Sequence, residues 1–167
     1  MTIVYKGRVF SVEVERRRFP NGQEHEVAVV RHPPSVVLVP IADDGRVILI
    51  QQYRPSVDRM MWEIPAGSVD EGESPDQAAA RECEEEIGLA PERVERIRGL
   101  FPTPGFCDEE LIFYRVSALR PPAPDSPHKP DDDEDIQTRH VTIAEALAMV
   151  DRGEIVDLKT AYGLTLI

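Results

Sequence analysis

Cysteine is scarce, and that scarcity removes several classes of protein at once. Only Cys83 and Cys107 occur, with no C-x-x-C spacing and no Cys/His cluster, so the chain offers neither a disulfide framework nor a zinc site. A reducing cytoplasm is the expected location. Long apolar runs are missing too. No stretch approaches membrane-spanning length, and the start, MTIVYKGRVF, lacks an apolar segment with a small-residue cleavage site, so neither membrane insertion nor secretion is expected. Positive charge is the third shortage: 19 Lys and Arg stand against 31 Asp and Glu, a formal net charge of −12. A field of that sign repels nucleic acid backbones and anionic membranes. An anionic substrate would need a bound divalent cation and a few local arginines to overcome it.

What is present suits one domain over residues 1–167, a length at which roughly two thirds of the unfolded surface leaves water on folding. No internal repeat is visible. Apolar and polar residues alternate in places over 3–18, around Phe10, Val12 and Val14. The turn signal Pro20-Asn21-Gly22 and a second β-like run over Glu26 to Arg31 then predict an N-terminal hairpin within residues 1–33. Ser35 to Ile41 and Arg46 to Tyr53, parted by Asp43-Asp44-Gly45, read as strands rich in β-branched residues. Ser74 to Ile87 is the clearest helix. Ser74 can cap it, Pro75 fits its first position, Ala78, Ala79 and Ala80 favour it, and Gly88 can take the left-handed conformation that closes it. Strands follow at Val94 to Leu100, Leu111 to Leu119 and Ile136 to Val141, with helices at Ile143 to Val150 and Leu158 to Leu166. The proline-dense, acidic stretch from Arg120 to Asp135 reads as a long loop. The fold class expected is mixed α/β: a central mixed sheet between helices, in an α/β/α sandwich, with an N-terminal antiparallel hairpin or small sheet added.

The chemistry concentrates on the helix. Glu82, Glu85 and Glu86 are related by i+3 and i+4, so three carboxylates converge on one face near the negative end of the helix dipole. By itself that arrangement is unfavourable, and E-x-x-E-E alone is more often a solvated acidic face. A cation completes it, and Mg²⁺, which takes oxygen ligands from a few carboxylates, waters and phosphates, fits the type and number of groups.

From Gly67 the chain reads GSVDEGESPDQAAARECEEEIGL. This resembles the Nudix box: a glycine, five residues, a glutamate, seven residues, then Arg-Glu-aliphatic-x-Glu-Glu-x-Gly-aliphatic. Gly67, Glu73, Arg81, Glu82, Glu85, Glu86, Gly88 and Leu89 match; Cys83 departs from an aliphatic position, where a buried thiol behaves as a small hydrophobe. The resemblance implies a loop-helix-loop in which Glu82, Glu85 and Glu86 bind Mg²⁺, with Mn²⁺ a possible substitute, while Arg81 pairs with and orients Glu73.

Outside the box, Trp62-Glu63-Ile64-Pro65-Ala66-Gly67 resembles the E-x-P-A-G lead-in of the ADP-ribose pyrophosphatase group within that family, which implies that the Ala66 carbonyl ligates a metal. Pro104, fifteen residues after Leu89, matches a marker proline of the group and is assigned to the substrate site. Gln51-Gln52-Tyr53-Arg54 resembles a strand end whose arginine contacts the substrate diphosphate. Glu63 is assigned with them to the substrate site, a metal or pairing with a nearby cation being its alternatives. The implied reaction is hydrolysis of a nucleoside diphosphate sugar, ADP-ribose to AMP and ribose 5-phosphate, with Glu85 and Glu86 in the catalytic group. Within Asp131–Asp135, Glu134 is the favoured proton acceptor, with Asp132, Asp133 and a box glutamate as alternatives. A homodimer built on the N-terminal hairpin is also implied. Other nucleoside diphosphate sugars such as GDP-mannose, or a ligand sensor without turnover, are the competing readings.

Overall fold

The computed structural model describes residues 1–128 and 136–167. The N-terminal β region is the expected antiparallel sheet, with one strand more than a hairpin: β1 (Thr2–Lys6), β2 (Ser11–Arg18) and β3 (Glu24–Arg31) lie in that order. The extra strand arises because Gly7 N–H closes a tight turn onto the Phe10 carbonyl at 2.9 Å, splitting the segment that alternation alone presents as one run. Pro20-Asn21-Gly22 does form the second turn, with Gly22 at φ 83°.

The larger sheet contains β4 (Ser35–Ile41), β5 (Val47–Arg54), β6 (Arg59–Glu63), β7 (Ala66–Ser68), β8 (Ala90–Leu100), β9 (Leu111–Arg120) and β10 (Gln137–Val141). Its main path runs β10-β5-β4-β9-β8, and among the described residues only β4 and β9 of this sheet pair in parallel, so the sheet is mixed. Next to the small sheet, Val30 exchanges backbone hydrogen bonds with Phe106 O and Asp108 N at 2.8 and 3.1 Å, and Arg31 reaches Glu13, Glu15 and Asp108 at 2.8, 2.8 and 2.9 Å. Those contacts seat the small sheet on the segment between β8 and β9.

One irregularity positions everything that follows. β4 and β5 pair only at Ile41 and Val47, after which they part. β6 then pairs with β5 and β7 with β4, so Arg59–Ser68 fills the fork, pinned by Leu38 N–H on the Pro65 carbonyl at 2.8 Å. Neither short strand was expected from the sequence. Three and five residues are too few for a period to show, and what makes them strands is the pair of unsatisfied edges they meet.

Alternation along β4 then divides the core. Val36 and Leu38 pack with Ala78, Ala79 and Cys83 of α1 (Pro75–Ile87), while Val37 and Val39 pack on the opposite face. That second face is covered by α2 (Ile143–Asp151) through Ala146 and Met149, and by Leu164 in the 3-10 turn that follows α3 (Leu158–Gly163). The result is the expected α/β/α arrangement, with each fully buried aliphatic side chain contributing roughly 1.5–3 kcal/mol. Cys83 is fully buried and burial pushes its thiol up to about 12, so it fills an aliphatic position as a neutral side chain. Among the described residues no helix is long and apolar enough to cross a membrane.

Candidate active site

Helix α1 starts and stops where its sequence says. Ser74 accepts from Gln77 N–H while the Gln77 side chain accepts from Ser74 N–H, a reciprocal capping box, with Pro75 at the first position. Gly88 closes the helix at φ 75°, its N–H bonded to the Glu84 carbonyl. With both ends set, Glu82, Glu85 and Glu86 face the fork filled by β6 and β7.

Arg81 organises these carboxylates. One nitrogen, Nη1, donates to Glu82 Oε1 at 2.6 Å and to Glu85 Oε2 at 2.7 Å. Nε and Nη2 form a bidentate pair with Glu73 at 3.0 and 2.9 Å, and Nη2 also reaches the Ser68 carbonyl at 2.9 Å. A lysine could not satisfy this set, which needs the planar fork of a guanidinium. The Glu73 carboxyl is subject to burial, which raises it, but the Arg81 hydrogen bonds and the Asp70 N–H outweigh that and hold it below the ordinary carboxylate value. The pairing expected of Arg81 and Glu73 is therefore present in the fold, and Arg81 touches two box carboxylates besides.

The lead-in strand meets the same cluster from the other side. Glu86 Oε2 accepts the Ala66 N–H at 2.8 Å, and the Glu82 carboxylate lies directly over Gly67. A Cβ placed on Gly67 would sit 2.0 Å from Glu82 Oε1, so only glycine lets strand and carboxylate approach this closely. Glu82 and Glu86 are buried and Glu85 is partly exposed.

A second cluster lies at the ends of β5 and β6. Arg54 Nε and Nη2 grip Glu63 Oε1 and Oε2 at 2.8 and 2.7 Å. Lys159 of α3 joins the same Glu63 oxygen and also Asp157, at 2.9 Å to the latter. Glu63 is only 1% exposed; burial works to raise its carboxyl, yet Arg54 and Lys159 together hold it below the ordinary value. Of the options the sequence left open for Glu63, the structure places cations on both of its oxygens.

The two clusters open into one cleft of about 1310 Å³, lined by Arg54, Ala66, Gly67, Arg81, Glu82, Glu85 and Lys159 among others. This is larger than the roughly 300–1,000 Å³ typical of a drug-sized site, and its two ends carry different chemistry. Arg8, Val9, Phe101 and Pro102 also line it. Pro104 is exposed in the turn beyond, and does not line the cleft. Glu134, Asp132 and Asp133 lie outside the described residues. Sequence reasoning missed Lys159 and Asp157: Asp157-Leu158-Lys159-Thr160 reads as the start of a helix, and nothing in it signals contact with a residue 96 positions earlier.

Comparison with known proteins agrees with this geometry. The NUDIX domain family model matches residues 31–159. The chain is 33% identical over 161 residues to an ADP-ribose pyrophosphatase of Bacillus subtilis, covering 96% of this chain and 86% of that protein. It is 35% identical over 156 residues to an ADP-ribose pyrophosphatase of Mycobacterium tuberculosis, covering 92% and 74%. A crystal structure of an ADP compounds hydrolase shares the fold with a TM-score of 0.82 at 24% identity, covering 99% of this chain and 88% of that one.

Proposed function

The chain belongs to the Nudix family, and we propose that it hydrolyses the diphosphate of a nucleoside diphosphate sugar, with ADP-ribose yielding AMP and ribose 5-phosphate. The observation that carries this reading is that two unlike clusters line one cleft, box carboxylates framed by Arg81 and the cations Arg54 and Lys159 held by Glu63. The names and coverage of the relatives support the same substrate.

The residues fit a divalent ion. Among the described residues no three His, Cys, Asp or Glu side chains form a ready-made cage, and Arg81 Nη1 lies between Glu82 Oε1 and Glu85 Oε2. That nitrogen is a stand-in for positive charge: the two carboxylates approach it to 2.6 and 2.7 Å, so their oxygens converge on one point. An all-oxygen donor set suits Mg²⁺, with Mn²⁺ as a substitute, and Glu82, Glu85, Glu86 and the Ala66 carbonyl would hold it. Bound there, the metal supplies neutralisation of the phosphoryl oxygens and a more acidic water.

The protein's own groups do the rest. Arg54, its Nε and Nη2 held by Glu63, offers Nη1 to the diphosphate as a charge-assisted donor. Arg81 keeps Glu82 and Glu85 oriented and fixes Glu73 beneath them. The water's proton passes to a carboxylate, for which Glu134 is the assignment, with Asp132, Asp133, Glu85 and Glu86 as the other acceptors within the proposal. The small sheet is assigned to a homodimer contact: Ile3, Val4 and Tyr5 of β1 are 52%, 59% and 53% exposed.

Incubating the purified protein with ADP-ribose and Mg²⁺ and identifying the products tests the reaction. AMP and ribose 5-phosphate in equal amounts are expected. No cleavage of ADP-ribose with either Mg²⁺ or Mn²⁺, alongside turnover of GDP-mannose in the same panel, would transfer the activity to another nucleotide sugar.

A further inference from the structure

We propose that Glu63 is a positioning residue, which acts on the diphosphate only through Arg54 and which the C-terminal helix holds in place through Lys159. The inference rests on the reading of Arg54 as the diphosphate contact, and it replaces direct binding of substrate or metal by Glu63.

Three charged donors occupy the two Glu63 oxygens: Arg54 Nε on Oε1, and Arg54 Nη2 and Lys159 Nζ on Oε2. At 1% exposure the carboxylate has no face left for a phosphate or an ion. Its partners are the groups that line the cleft. Glu63 takes the Nε and Nη2 edge of Arg54, which leaves Nη1 to meet an incoming oxygen. An unrestrained arginine loses rotamer entropy on being fixed, and the bidentate grip removes that loss before substrate arrives.

Lys159 makes the grip durable because it is itself locked. Asp157 Oδ2 accepts Lys159 Nζ at 2.9 Å, Thr160 N–H at 3.0 Å and Thr160 Oγ1 at 2.5 Å. Thr160 Oγ1 in turn accepts the Ile64 N–H at 2.9 Å, and Thr160 is fully buried. The bonds run from Ile64 through Thr160, Asp157 and Lys159 back to Glu63, the residue before Ile64. This closed ring joins the end of β6 to the first turn of α3. Gly163 follows one turn later, where an added Cβ would lie 2.5 Å from Ile64 Cδ1, so the helix is seated against the same strand end. Two cations and two carboxylates balance in charge, so none of the four carries an uncompensated buried charge.

The test uses two readouts on wild type, Glu63→Gln, Lys159→Met, Lys159→Arg, Arg54→Ala and the double variant Arg54→Ala/Glu63→Gln, each first checked for a native circular dichroism spectrum and melting transition. Steady-state hydrolysis of ADP-ribose gives KM and kcat separately; calorimetric titration with inorganic pyrophosphate on metal-free protein reads the anion contact without turnover. Glu63→Gln and Lys159→Met are expected to raise KM and the pyrophosphate Kd about tenfold with kcat within about threefold of wild type. Lys159→Arg should recover most of the loss. In the Arg54→Ala background, adding Glu63→Gln should change either constant by less than about twofold, because a residue that works through Arg54 has nothing left to position. Equal effects of Glu63→Gln with and without Arg54 overturn the proposal, as does an unchanged KM in Glu63→Gln. If wild type cleaves no ADP-ribose, the substrate reading fails and the pyrophosphate titration still decides this one. If Arg54→Ala binds pyrophosphate as wild type does, the assignment of Arg54 fails and this inference with it.

Discussion

Glu86 accepts the backbone N–H of Ala66 at 2.8 Å, so the carboxylate at the end of the box helix is tied to the strand that leads into the box. The bond fixes the spacing between α1 and β7 and aims a buried acid at the place where the resemblance sets a metal.

Replacing Glu86 by Gln separates the two roles. The amide oxygen can still accept the Ala66 N–H, so the loss of stability should be about 1 kcal/mol or less, a small shift in melting temperature. The charge is gone, and kcat for ADP-ribose at saturating Mg²⁺ should fall by about 10²–10³. A folded Glu86→Gln protein with undiminished turnover would remove Glu86 from the site.

Gly67→Ala tests the close approach of strand and carboxylate. The new Cβ would lie 2.0 Å from Glu82 Oε1 and 2.1 Å from its Cδ, so Glu82 must swing away from Arg81 or the strand must shift. The cost of such overpacking is about 1–3 kcal/mol. The sharper expectation is functional: the Mg²⁺ concentration for half-maximal rate should rise at least about tenfold while ADP-ribose KM at saturating Mg²⁺ changes little. Metal titration of the rate measures it, and an unaltered Mg²⁺ dependence refutes the role given to Glu82.

Acid should weaken the fold through Glu63 and Glu73. Both carboxyls are held below their ordinary value of 4.5 in the folded chain, in each case because arginine or lysine pairing outweighs burial. A depressed folded value means that the unfolded chain binds the proton more readily. The stabilisation is therefore complete above pH 4.5 and is lost progressively as pH falls below it through the folded values. Urea unfolding at steps from pH 7 down to pH 3 should show that decline, and Glu73→Gln should be less stable than wild type at pH 7 with a flatter acid limb. An acid limb equally steep in Glu73→Gln would exclude Glu73 as a contributor.

Much of the acidic helix face could be read from the sequence because helix geometry is local. Ser74, Pro75 and Gly88 bound the helix, and i, i+3 and i+4 spacing then places Glu82, Glu85 and Glu86 on one side whatever surrounds them. The Arg81–Glu73 pairing came from the family pattern, and the structure adds the contacts to Glu82, Glu85 and Ser68 that no pattern stated. The apolar, β-branched runs of β4 and β5 were visible for the same local reason, whereas the short β6 and β7 were not.

What tertiary structure alone decided is the company each residue keeps across long separations. The parting of β4 and β5 created edges that turned Arg59–Ser68 into strands and brought Ala66 and Gly67 against α1. Glu63, assigned from the sequence to the substrate site, acquired Arg54 from nine residues back and Lys159 from 96 residues ahead. Local spacing sets which way a side chain leaves its own element. A buried charge, however, must be answered by whatever the fold brings beside it, and that depends on the packing of the whole chain.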